Sequence, residues 1–348
     1  MDDAVVVIGK RKVGQGYPCL VIAEIGPNHD GSVDRAKKLV DLAANCGCHG
    51  VKFQYHIADL EIADKQSIIP WSGEIRYDFV RNVQEFTENE HAQLKEWTQE
   101  KGLLYVVSPF NLKAVEVLDK IGVDAYKIAS GEISNLELVK KCCLTGRPVI
   151  LSSGMSTLDE IDKAIATARE TGNANLILLQ CTSEYPTQYE DMNLRTIVTF
   201  RHRYGILTGL SDHNLDPVPV IASVALGCCL IEKHFTDDKT RPGPDHAVSL
   251  EPHEMKALVA GVRNLEKALG DGAKNLGPNA EKLRRTFMNS IVAAKRIPEG
   301  TIVAKDHFCL KKPGTGLPPE DMKKLIGMKA KRNIEADTIV SMTDFSEV

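Results

Sequence analysis

A chain of 348 residues exceeds what one small domain needs and suits a (β/α)8 barrel with an appendage. With 43% hydrophobic and 26% charged residues it has the composition of a globular enzyme. Its net charge of −4 excludes a global attraction to nucleic acid or an anionic membrane, so any anion must be bound locally.

In chain order, the opening MDDAVVVIGKRKVGQG has too short an apolar run, wrongly flanked, for a signal peptide. No later segment reaches the roughly 18 apolar residues of a membrane span. Residues 4–20 predict two short strands around a Gly- and Lys-rich turn, a lid over one end of a barrel. Eight short apolar runs follow: CLVIAEIG, GVKFQ, LLYVVSPF, AYKIASGE, PVILSSG, LILLQCTS, GILTGLSDH and CCLIEKHF. Between them lie segments of helical period such as VDRAKKLVDLAANCG and LDEIDKAIATARETG, mostly ended by Gly, with capped acidic starts near Asp34 and Thr157. Eight strand–helix alternations predict a parallel sheet closed into a TIM barrel. An open doubly wound sheet would want a GxGxxG turn, and the sequence has none.

The connection from His56 to Tyr105 is unusually long and carries Trp71, Gly73 and Tyr77, which predicts a substrate-covering insertion before the second barrel helix. The barrel with its hairpin is expected over residues 1–270, a polar linker over 271–288, and a small β-rich domain over 289–348 with turns at IPEG and PGTG. The nine scattered cysteines read as reduced core hydrophobes and lead us to expect a cytoplasmic protein; Cys46-Gly47-Cys48 falls at a helix end and is read the same way.

Barrel enzymes carry their chemistry at the C-terminal ends of the strands. Here those ends supply Glu24, Lys52, Gln54, Ser108, Lys127, Ser130, Glu132, Ser152, Ser153, Gln180, Thr182, Ser183, Ser211, His213, Glu232 and His234. Lys52 and Lys127 lie inside apolar strands, where an ammonium needs a counterion. Either a bound phosphate or carboxylate answers them, aided by hydroxyls and N–H groups of Ser130-Gly131 and Ser152-Ser153-Gly154, or a glutamate such as Glu24 or Glu232 does. His213 and His234 end consecutive strands and suit a divalent metal. Glu132 reads as a proton-transfer residue or as a helix-capping acid. The turns at Tyr185-Pro186-Thr187 and Pro242 to His246 suit contacts to a polyhydroxyl substrate.

Taken together, IAEIGPNHDG, VKFQ, KIASGE, LSSGM, LQCTSEYPT, SDH, EKHFT and PGPDHAVSLEP resemble the sialic acid synthase (N-acetylneuraminate synthase) family. The tail IPEGTIVAKDHFCLKKPGTGLPPEDMKKLIGMKAKRNIEADTIV is similar to that family's antifreeze-like SAF domain. The resemblance implies phosphoenolpyruvate and an acylated aminosugar as substrates, manganese or a similar ion such as magnesium or cobalt, and a domain-swapped homodimer. It implies that Lys52, Lys127, Ser130, Ser152, Ser183 and Ser211 bind phosphoenolpyruvate and that His213 and His234 hold the metal. Glu24, Gln54, Tyr185, Asp245 and Lys312 would contact the sugar, and Glu132 would assist proton transfer. Two positions depart from the bacterial pattern: Ser183 stands where Asn is common, and Lys312 stands where Arg precedes Pro-Gly. The expected reaction joins phosphoenolpyruvate, N-acetylmannosamine or a related sugar, and water into a nonulosonate and phosphate. Its alternatives are a legionaminic- or pseudaminic-type synthase, a Schiff-base pyruvate aldolase using Lys127 or Lys52, and a sugar-binding protein without catalysis.

Overall fold

The computed structural model describes residues 4–348 apart from Trp71, so that part of the expected insertion lies outside the described residues. The chain divides between Gly270 and Asp271 into two compact units.

The first unit opens with a hairpin, β1 (Val5–Ile8) antiparallel to β2 (Arg11–Gly14). Eight parallel strands follow: β3 (Leu20–Glu24), β4 (Gly50–Tyr55), β5 (Leu104–Pro109), β6 (Ala125–Ile128), β7 (Val149–Ser152), β8 (Leu176–Cys181), β9 (Leu207–Asp212) and β10 (Leu230–His234). Each pairs with the next, and β10 returns to β3, closing the expected TIM barrel. The outer helices are α1 (Val33–Asn45), α2 (Glu88–Glu100), α3 (Leu112–Ile121), α4 (Leu136–Leu144), α5 (Leu158–Glu170), α6 (Thr196–Tyr204), α7 (Pro217–Ala225) and α8 (Pro252–Leu269). Local chemistry starts them: Ser32 caps α1, and Thr157 with Glu160 forms a capping box on α5.

Two apolar layers result from the two-residue period of the strands. Val51, Phe53, Tyr105, Tyr126 and Ile231 point outward against helix residues such as Leu39, Leu94 and Leu118. Leu20, Ile22, Leu104, Val106, Ile150, Ile177 and Leu230 fill the interior, where Val6, Ile8 and Val13 of the hairpin join them. The hairpin therefore packs where the strands begin. The lid expected from the sequence is a plug of the end opposite the polar strand termini, because its apolar face needs the apolar first layer of the barrel.

The long β4–β5 connection contains short helices at Ala58–Glu61 and Arg76–Phe79 and a π-helical turn at Val80–Gln84 before α2. In the second unit, the segment expected as linker carries a helix, α9 (Ala280–Phe287). Beyond it, β11 (Ser290–Ala293) pairs with β12 (Phe308–Lys311), and β13 (Lys329–Ala330) with β14 (Phe345–Ser346). Ile291, Ile297, Val303, Phe308, Leu325 and Ile334 form its own core. Among the described residues no helix is long and apolar enough to cross a membrane.

Candidate active site

The period that builds the two layers also selects the side chains entering the mouth. On β4, Lys52 and Gln54 share the inward face, and on β10, Glu232 and His234 do. Lys52 Nζ lies 3.0 Å from Glu24 Oε1 and 3.5 Å from Glu232 Oε1, and it donates to Ser108 Oγ at 3.3 Å. Lys127 Nζ stands 2.9 Å from the same Glu232 oxygen, to which Ser211 Oγ donates at 3.2 Å. Both lysines thus meet glutamate, and Glu232 is the hub that joins them.

Burial opposes every charge in this cluster, and the balance differs at each group. For Glu232, burial is outweighed by Lys127 and Lys52, which hold its carboxyl down at about 2. For Lys127, burial wins and depresses the ammonium despite Glu232. Glu24 is pushed up by burial, with Lys52 opposing and the Glu232 charge adding.

Beside the lysines the structure holds unspent hydrogen-bonding capacity. Ser152 Oγ, Ser153 Oγ and Glu24 Oε2 are buried without a partner. A buried polar atom left unpaired costs about 1–3 kcal/mol, so two at inward positions, Ser152 Oγ and Glu24 Oε2, mark a surface shaped for a ligand. Gly154 gives the opening its width. A Cβ there would lie 2.2 Å from Ser183 Oγ, 2.6 Å from Ser130 Oγ and 3.0 Å from Cys181 Sγ. The hydroxyls expected to meet phosphoenolpyruvate therefore converge on space that only glycine leaves free.

The acceptor-side residues converge as well. Gly26, in left-handed backbone (φ 49°), faces Glu24 Oε1, Asp245 Oδ2 and Gln54 Nε2, which lie 3.2–3.5 Å from where its Cβ would be. Gln54 Nε2 donates to Glu24 Oε1 at 2.8 Å. Burial, reinforced by the Glu24 charge and opposed by Lys52, pushes Asp245 up to about 7. The ring of Tyr185, half-buried, lies 4.1 Å from that of His213 and 5.9 Å from that of His234.

The histidine rings are 5.4 Å apart. His213 Nδ1 donates to the Thr182 carbonyl at 2.8 Å, which leaves its Nε2 lone pair free. His234 Nδ1 has no hydrogen bond, although Asp245 Oδ2 stands 3.4 Å away. Burial keeps both rings neutral, holding His213 down at about 4 and His234 well below its usual range. Two neutral imidazoles with free nitrogens fit a divalent ion. Among the described residues no three acids, thiols or imidazoles form a ready-made ligand set, so these two are the donors the chain offers.

One expectation from the sequence changes, and the surroundings of two other residues become visible. Gln180 and Asp212 end strands but face outward: Gln180 donates to the Met192 carbonyl, and Asp212 pairs with the fully buried Lys233 at 2.5 Å. Each sits one residue off the inward register. Glu132 lies beyond β6 in a 3-10 turn (Ser130–Glu132), where it accepts from Asn135, the N-cap of α4, at 3.1 Å. Burial raises it, and Glu61 adds to the rise; its hydrogen bond serves the cap, and it has none to the lysine or histidine cluster. Lys312 belongs to the second unit, where its ammonium stands 5.7 Å from the Phe287 ring. The sequence reading missed His56, Glu61 and Gln84, which continue the line of contacts outward from Gln54. Polar residues just past the end of β4 were the available signal.

Fold and mouth define a (β/α)8-barrel protein with an anion-compatible, imidazole-bearing cluster at its C-terminal strand ends. The chain belongs to the NeuB family, whose model matches residues 39–274, and the SAF domain model matches residues 289–346. It is 35% identical to an N,N'-diacetyllegionaminic acid synthase of Legionella pneumophila, with 95% of each chain covered. It is 36% identical to the human N-acetylneuraminate-9-phosphate synthase over 95% of this chain and 93% of that one. Among solved structures it is similar to the N-acetylneuraminic acid synthetase of Leptospira borgpetersenii in complex with citrate, at 32% identity and TM-score 0.73, covering 80% of this chain and 95% of that one.

Proposed function

We propose that the protein condenses phosphoenolpyruvate with N-acetylmannosamine, or a related acylated aminosugar, and water to give a sialic-acid-type nonulosonate and phosphate. The observation that carries this reading is the pairing, in one mouth, of two buried lysines and the unpartnered Ser152 hydroxyl with two neutral histidines. Lys52, Lys127, Ser130, Ser152, Ser183 and Ser211 hold phosphoenolpyruvate, whose negative charge suits the lysines better than Glu232 alone does. Glu24, Gln54, Tyr185 and Asp245 bind the open-chain sugar. His213 and His234 would hold the divalent ion, manganese or a similar one, which when bound supplies Lewis-acid polarisation of the aldehyde.

Carbon three of phosphoenolpyruvate uses the carbon two–carbon three π pair to form the new bond to the aldehyde carbon, leaving an oxocarbenium at carbon two; of the two protons of the water that adds next, one ends on the aldehyde-derived oxygen and one on the released phosphate. Water adds at carbon two and passes a proton to Glu132, the carboxylate that burial makes more basic. Cleavage of the carbon two–oxygen bond then releases phosphate and leaves the keto group. Alignment of both substrates on rigid strand ends supplies the proximity term. We further place the protein in the cytoplasm, consistent with nine free cysteines, and as a homodimer in which Lys312 of the partner subunit approaches the sugar.

The test is phosphate release from phosphoenolpyruvate with manganese across acylated aminosugars, with and without EDTA. Aldehyde-dependent release that EDTA abolishes supports the reading, and the best sugar names the product. A chelator-insensitive reaction with pyruvate, trapped by borohydride on lysine, would replace it with an aldolase. No reaction and no metal binding would leave a sugar-binding protein.

A further inference from the structure

One buried cluster in the barrel unit is used by nothing above. Just beyond β4, the Glu61 side chain is withdrawn from solvent yet accepts three hydrogen bonds: from His56 Nδ1 at 2.7 Å, from the Ile57 N–H at 2.6 Å and from Asn111 Nδ2 at 2.7 Å. Burial alone would push this carboxyl up, but His56 and the two other donors outweigh it and hold Glu61 below its usual range. Among the described residues no lysine or arginine pairs with Glu61; the ring of His56 is its one basic neighbour at that distance. Its ring is held flat against Phe110, with centroids 4.0 Å apart.

The other nitrogen of that ring reaches the mouth. His56 Nε2 lies 3.1 Å from Gln54 Oε1, and Gln84 Nε2 donates to the same oxygen at 2.8 Å. His56 thus spans from the Glu61 carboxylate at Nδ1 to the Gln54 amide oxygen at Nε2. A carboxamide has one accepting and one donating end, and a half-turn swaps them. The Gln84 N–H on one side of Gln54 and the Glu24 carboxylate on the other favour one orientation, with His56 packed beside the accepting end. In that orientation the Gln54 amide and Lys52 both engage Glu24 Oε1, and Glu24 Oε2 is the buried acceptor left unfilled.

We propose that His56, held in place by Glu61, is a positioning residue for the sugar acceptor: it locks the Gln54 amide and so presents Glu24 Oε2 to a substrate hydroxyl or N–H. The inference rests on the synthase reading above. It assigns the pair to recognition of the polyhydroxyl aldehyde, and leaves phosphoenolpyruvate to the lysines and serines.

The variants are His56→Phe, which keeps a flat ring against Phe110, and Glu61→Gln, which keeps size and removes charge. Steady-state kinetics with manganese, phosphoenolpyruvate and N-acetylmannosamine should give a KM for the sugar raised about tenfold in each, the scale of one misdirected buried hydrogen bond. The KM for phosphoenolpyruvate should stay within about twofold, and the double variant should be no worse than either single one, as for residues acting through one path. Phosphoenolpyruvate KM rising in step with the sugar's, or an unchanged sugar KM, overturns the proposal. If His56→Phe fails to fold, the isosteric Glu61→Gln decides alone by the same split. Failure of the wild-type protein to turn over N-acetylmannosamine or any other acylated aminosugar of the panel would reject the synthase reading itself; normal wild-type kinetics, on whichever of these sugars it uses, with unmoved variants would reject only the role of this pair.

Discussion

Glu232→Gln removes the charge that two buried lysines share while keeping the side chain's shape. The carboxylate stands 2.9 Å from Lys127 and 3.5 Å from Lys52, and only Glu24, 3.0 Å from Lys52, remains to balance them. Breaking one partner out of a buried pair costs about 3–5 kcal/mol. Lys127 has an escape, since burial already depresses it and it can shed its proton, so the lower end, about 3 kcal/mol, is expected. For a barrel of this size each kcal/mol moves Tm by about 2–4 °C, giving a fall of roughly 6–12 °C. Phosphoenolpyruvate would restore negative charge next to the same lysines. It should therefore raise the Tm of the variant by more than that of the wild type, because it binds the native state alone. Scanning calorimetry at neutral pH, with and without the ligand, reads both quantities. A variant as stable as the wild type, or one that phosphoenolpyruvate stabilises less, would refute the view that these lysines wait for an anion.

Gly154→Ala should fold with at most about 1–3 kcal/mol of strain, since the displaced atoms are ends of serine and cysteine side chains. Its KM for phosphoenolpyruvate should rise at least about tenfold, as the crowded Ser130 and Ser183 hydroxyls are those assigned to that substrate; unchanged kinetics would remove them from the assignment. Burial lowers His29 and His91 from 6.5 to about 3, and His49 and His213 to about 4. Their contribution is complete above pH 6.5 and is lost as pH falls toward 4, because the unfolded chain takes the protons first; urea midpoints flat between pH 7 and 5 would contradict this. Asp245 has the opposite sign: raised from 3.8 to about 7, it favours the fold at low pH and loses that contribution as pH rises through 7. Asp245→Asn should then raise Tm at pH 8 and by clearly less at pH 5, while sugar turnover falls; a loss of stability at pH 8 would show that the carboxylate is compensated.

Much of this was legible in the chain because a barrel strand is short, apolar and bounded. Each of the eight runs read from the sequence is a strand, since nothing but a buried parallel sheet accommodates LILLQC or LLYVVS on both faces. Facing was harder. In EKH the glutamate and histidine point inward while Lys233 turns out to Asp212, and a one-residue slip exchanges the sets. Gln180 was misplaced by that slip, although anchoring the count on the inward Leu179 would have turned it outward. The identity of the lysines' counterion was undecidable from one strand at a time: Glu232 is 105 residues from Lys127 and meets it only because the barrel closes. His56 and Glu61 escaped notice because their roles depend on where a short loop helix folds back, which no periodicity encodes.

The hairpin at the foot of the barrel has a kinetic meaning. With Val6, Ile8 and Val13 sealing one end, the barrel is a blind tube with one door. Lys52 precedes Gln54 by two residues on the same inward face, so the lysine lies roughly 6–7 Å deeper than Gln54. A sugar seated at Gln54 and Asp245, as proposed, would stand between the anion pocket and the entrance. On the proposed reading, traffic through a single door would oblige the smaller, deeper-seated reactant to arrive first, and the inorganic product formed beneath the new sugar acid to wait for its neighbour to leave.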